Sequence, residues 1–131
     1  MDNKEIFRRY VEALGKPDLL NDVLAPDFVA HDLPPPGNRD ALIAFRRVVM
    51  AAFPDQKGTI LDLVAEGDRV AARMSTEQTH DRPFMGVPPT GKKIKIEIYG
   101  IARIANGKIA ERWVALKPSL AELVQQLRAG P

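Results

Sequence analysis

The chain has 131 residues, 45% of them apolar and 27% charged, and no cysteine. That is enough for one domain with a real core, and it excludes disulfide scaffolds, thiolate nucleophiles and cysteine-ligated metal centres. A formal net charge of +2 is too slight a basic bias to mark a nucleic-acid binder.

The N-terminus lacks a secretory h-region and no stretch approaches the ~18 apolar residues of a membrane span, so a soluble, cytoplasmic protein without membrane contact is expected. Ile6, Phe7, Tyr10, Val11 and Leu14 recur at helical spacing, and Gly15-Lys16-Pro17 closes that first helix. Asp18 is read as the cap of a short second helix carrying Leu19, Leu20, Val23 and Leu24, which Ala25-Pro26 ends. After Asp27 to Asp32, the run Pro34-Pro35-Pro36-Gly37 requires a semi-rigid loop, and Asn38 caps a third helix with Leu42, Phe45, Val49, Ala52 and Phe53 on one face.

Beyond Pro54-Asp55 the period shortens to two. Ile60 to Glu66 and Arg69 to Thr79 form a hairpin about Gly67-Asp68, with Val70, Ala72, Met74 and Thr76 on one face. Pro83 to Gly91 is a loop within the domain. Lys92 to Ala105 alternates, with Ile94, Ile96 and Ile98 opposite Lys93, Lys95, Glu97 and Tyr99, and Gly100 suggests a bend or bulge. Asn106-Gly107 turns the chain into a last strand, Lys108 to Leu116, and Ser119 with Glu122 has capping-box spacing for a closing helix. Helices followed by four strands predict an α+β fold: one domain over residues 1–131, with a strongly bent antiparallel sheet packed against the N-terminal helices.

Such a sheet leaves a concave pocket, the usual form of a small-molecule site. Glu111 and Trp113 share strand parity with Ile109 and are expected to turn inward, Trp113 as an aromatic wall and Glu111 as a carboxylate partner for Arg73 or a ligand. His31 and His80, at the edges of the proline-rich loops, are the two side chains that titrate near neutrality. Their spacing matches no zinc motif, so neither metal nor cofactor is expected. The lysines around Lys92, Lys93 and Lys95 lack a phosphate loop or interleaved aromatics and read as solvated surface, with no nucleic-acid partner.

The segments Ala65-Glu66-Gly67-Asp68-Arg69-Val70, Thr79-His80, Val87-Pro88-Pro89-Thr90-Gly91-Lys92 and Gly107-Lys108-Ile109-Ala110-Glu111-Arg112-Trp113, in this order, resemble the SnoaL-like polyketide cyclase family. That family sits among the cone-shaped folds similar to nuclear transport factor 2, a cystatin-like α+β roll. The resemblance implies ring closure of a polyketide by intramolecular aldol condensation, without metal or organic cofactor. It carries His31, the His80 of the Thr-His pair and Trp113 over as pocket residues. The family's acid lies four residues beyond that tryptophan, where this chain has Lys117.

That exchange removes a ready carboxylate base. His80 or His31 as base, Lys117 as base or Schiff-base amine, and binding without turnover remain open. The expected catalytic set is thus His80, His31 and Lys117, and the expected binding set Trp113, Glu111, Tyr99, Arg73, Met74 and Phe84. The expected activity is that of a cofactor-independent cyclase, isomerase or lyase acting on an apolar or aromatic carbonyl compound, in a homodimer. A non-catalytic binding pocket and an interaction module using the outer sheet face are the alternatives.

Overall fold

The computed structural model describes residues 1–129. Helix α1 (Asn3–Leu14) starts where the Asp2 carboxylate accepts from the Glu5 N–H, and it buries Ile6, Phe7, Tyr10 and Ala13 along one stripe. The expected capped second helix is corrected. A 3-10 turn (Pro17–Leu19) runs into a single helical turn, α2 (Leu20–Val23), with no side-chain cap, and the Asp18 carboxylate instead pairs with Arg47 at 2.8 Å. Residues Leu24–Ala30, not anticipated as a strand, form β1.

Helix α3 (Arg39–Ala52) starts at Asn38, whose side chain accepts from the Ala41 N–H as its sequence position implies. Strands β2 (Lys57–Glu66), β3 (Arg69–Thr79), β4 (Lys93–Ala105) and β5 (Lys108–Lys117) follow, and α4 (Leu120–Arg128) closes with the Ser119–Glu122 capping box formed. Asn106 and Gly107 both take positive φ, as a tight β4–β5 turn demands.

The sheet order is β1-β5-β4-β3-β2, antiparallel except for the β1–β5 pair, which is parallel. The α+β roll expected from the sequence is therefore the observed fold, with one additional edge strand. Gly100 is not the irregularity: it stays in register with Ala72 and Val114. The register instead shifts between Arg103↔Glu111 and Ile104↔Ile109, so Ala110 is the extra residue of a β-bulge.

Two apolar clusters fill the space between the sheet's inner face and the helices. One joins α1, α2 and β1 to Val70, Ala72, Met74 and Ile109; the other joins Phe53, Phe84, Val87 and Ile96 to Leu123 and Leu127 of α4. Ile98 packs against both. No helix among the described residues is long and apolar enough to cross a membrane.

Candidate active site

Because β-strand side chains alternate, one extra residue inverts every position beyond it. Ile109 is fully buried, and after the bulge Arg112, Val114 and Leu116 face the helices while Glu111, Trp113 and Lys117 face away. The inner face of β5 therefore carries a guanidinium into the core.

Burial alone would weaken the charged form of Arg112; the Tyr10 and Asp32 oxygens outweigh it and hold its pKa above the ordinary arginine value. Arg112 Nε and Nη2 donate to the two Asp32 carboxylate oxygens at 3.0 and 2.7 Å, and Nη1 donates to the Tyr10 hydroxyl at 2.9 Å. This bidentate fork fixes the orientation of both partners. The Tyr10 hydroxyl accepts from Arg112, and its own proton has no acceptor among the described residues.

These three side chains line a chamber of about 270 Å³ whose remaining walls include the apolar Leu33, Phe45, Val114, Leu116 and Leu120. Leu14, Arg46, Met74 and Ile98 are shared with a second chamber of about 510 Å³ between α1, β2 and β3. A few convergent polar groups in an apolar hollow is the composition of a small-molecule site. The SnoaL-like polyketide cyclase family model matches residues 4–127.

The chain belongs to the SnoaL-like polyketide cyclase family. Among solved structures it is similar to IdmH from Streptomyces antibioticus, with 34% identity over 92% of this chain and 96% of that one and a TM-score of 0.76. It is also similar to TsrD from Streptomyces laurentii, at 25% identity, 98% coverage of both chains and a TM-score of 0.83. A SnoaL-like polyketide cyclase from Agrobacterium tumefaciens shares the fold at 21% identity, with 97% and 99% coverage and a TM-score of 0.76. No curated protein matches the sequence.

Within this SnoaL-like chain the expected residues fall into three places, and Met74 lines both chambers. Glu111 and Trp113 do not turn inward: the bulge at Ala110 inverts the parity on which that expectation rested. On the outer face His31 Nε2 donates to Glu111 at 2.6 Å and its ring stacks on Trp113, 4.8 Å between centroids, while Arg103 donates to the other Glu111 oxygen at 2.8 Å. Arg103 first and His31 second hold the Glu111 carboxyl below the usual carboxylate range.

Arg73 and Tyr99 share that outer face, where Arg73 is paired with Asp62 and Tyr99 donates to Glu97. Lys117, opposite Glu97 on the same face, is exposed rather than at the chamber.

His80 and Phe84 are in the second core cluster. His80 is fully buried against Phe53, 5.6 Å between ring centroids, and lines neither chamber. Its Nδ1 accepts from the Thr90 N–H at 3.3 Å and lies 3.0 Å from the Thr90 hydroxyl. Its backbone accepts from Gly91 and donates to Lys92. The imidazole is thus a neutral latch on the Pro83–Gly91 loop, and burial pushes its pKa below the ordinary value. Phe84 packs edge-on against Phe53 at 5.0 Å.

Tyr10, Asp32 and Arg112 were legible only in part. Each stands in a segment whose pattern is plain, but their convergence needs the parallel register of Ala30 with Arg112, across 82 residues of chain.

Proposed function

We propose that this chain performs cofactor-independent enolate chemistry of the aldol-cyclase kind on a carbonyl-bearing, largely apolar small molecule, with Asp32 as the proton acceptor and Tyr10 and Arg112 as oxyanion donors. The observation that carries the reading is the Tyr10–Arg112–Asp32 array on the wall of the inner chamber. Membership of a cyclase family supports it.

A carboxylate oxygen retains a lone pair after accepting one hydrogen bond, so Asp32 can be oriented by Arg112 and still take a proton. Removal of the proton next to a substrate ketone leaves its electron pair to form the enolate double bond, and the charge passes to the carbonyl oxygen. The free Tyr10 proton and the Arg112 charge stabilise that oxygen. The enolate carbon then attacks a second carbonyl of the same molecule, forming the ring bond, and the new alkoxide recovers the proton from Asp32. The apolar walls suit an aromatic body.

The test is proton exchange in heavy water, followed by NMR, on an aromatic ketone with hydrogens next to its carbonyl. The protein is expected to accelerate exchange, and Asp32→Asn to lower that acceleration about 100-fold or more while a thermal melt shows a folded chain. Ketone binding without accelerated exchange would replace this reading with that of a non-catalytic binding pocket.

A further inference from the structure

We propose that the second chamber is a subsite for a carboxylate, so that the substrate carries an acidic end besides its reacting carbonyl; this rests on the preceding reading of the adjoining chamber. The subsite is built around Arg46. Its Nε donates to the Leu14 carbonyl at 2.9 Å, and its Nη2 donates to the Gln56 side-chain oxygen. Gln56 donates onward to Gln78 at 3.0 Å, and Gln78 to the Ile94 carbonyl at 3.0 Å. This chain of amides locks the guanidinium in place from the end of α1 to β4.

The remaining nitrogen, Nη1, has no acceptor among the described residues. Thr76, 8% exposed, lines the same chamber, and its Oγ1 is buried without a hydrogen-bond partner. A hydroxyl sealed without a partner is costly to keep unless something supplies an acceptor, and the Arg46 Nη1 has donors left to offer the same acceptor. A carboxylate supplies two oxygens, one for each donor.

The charge around the chamber points the same way. Arg8, Arg46 and Lys57 line it against the single carboxylate of Glu12, which Lys16 approaches at 3.8 Å. Burial, followed by repulsion from Arg112, lowers the Arg46 pKa to about 10, and both guanidinium groups line the inner chamber. An incoming anion relieves that imbalance, whereas a neutral ester gains nothing from it.

Isothermal titration of 3-(2-naphthoyl)propionate and its methyl ester separates these cases, because the pair keeps the aromatic ketone and changes only the charge. The acid is expected to bind at least about tenfold more tightly than the ester. Thr76→Val, which keeps the shape of the side chain, is expected to cut that preference to about threefold or less with ester affinity retained, and Arg46→Lys is expected to cut the preference likewise. Equal binding of acid and ester, or a preference untouched in a folded Thr76→Val protein, overturns the carboxylate subsite and leaves the inner chamber standing. Binding of neither compound overturns both.

Discussion

His31 and Asp32 are neighbours in the chain and serve opposite faces of the sheet: His31 stacks on Trp113 outside, while Asp32 grips Arg112 inside at 2.7 Å. The divergence follows from the end of β1, where the Ala30 position pairs with Arg112 and the His31 N–H donates to the Arg112 carbonyl at 3.0 Å. One backbone junction therefore sets both the outer His31–Glu111 pair and the inner Asp32–Arg112 pair.

Arg112 is buried with 8% of its side chain exposed, and Asp32 is partly buried with 19%. Removing one partner leaves the other charge unpaired, and each of Asp32→Asn and Arg112→Met is expected to cost about 3 kcal/mol in urea denaturation. The double variant is expected to cost less than the sum of the two by more than about 1 kcal/mol. Additive losses would show that the two groups do not act as a unit.

The outer cluster lies across the sheet from both chambers. Trp113→Phe and His31→Ala are accordingly expected to leave ketone binding and proton exchange within about twofold of the parent. A large loss of exchange in His31→Ala, measured by the same NMR assay, would move the chemistry to the outer face.

His80 gives the fold a pH dependence whose sign is fixed by its buried, neutral ring. Its folded pKa lies below the ordinary value of 6.5, so the unfolded chain takes up the proton first. The stabilisation is complete above pH 6.5 and declines as the pH falls from there towards the folded value. Urea midpoints measured at pH 7.5, 6 and 5 are expected to fall more steeply in the parent than in His80→Asn, which keeps an acceptor for Thr90 but does not titrate. Parallel pH profiles for the two proteins would refute the latch.

Gly37 holds the turn that delivers Asp32. Its φ is +52°, its carbonyl accepts from the Ala30 N–H at 2.7 Å, and a Cβ there would lie 2.6 Å from the Ala30 carbonyl oxygen. Gly37→Ala is expected to destabilise by about 2 kcal/mol or more, since left-handed strain and a backbone clash add. Affinity for the ketone is expected to fall with it, because the same segment positions Asp32. A melting temperature equal to that of the parent would show that the turn relaxes freely.

What the sequence determined by itself was local. The caps at Asn38 and Ser119, the Gly67-Asp68 and Asn106-Gly107 hairpins, and the inward row Val70, Ala72, Met74 and Thr76 all follow from signals spanning a few residues. The family resemblance added the fold. Strand β1 escaped because Leu24–Ala30 contains Pro26 and shows no clean alternation, and an edge strand is recognised by a partner that lies far along the chain.

The tertiary structure alone decided which side chains face the chamber. Strand faces alternate with a period of two, so the single bulge at Ala110 exchanges Glu111, Trp113 and Lys117 for Arg112, Val114 and Leu116. The bulge lies between the hairpin pairs Arg103↔Glu111 and Ile104↔Ile109, on a strand that also pairs with β1 from far along the chain. Hence the chamber presents an arginine, a tyrosine and an aspartate gathered from β5, α1 and the loop after β1.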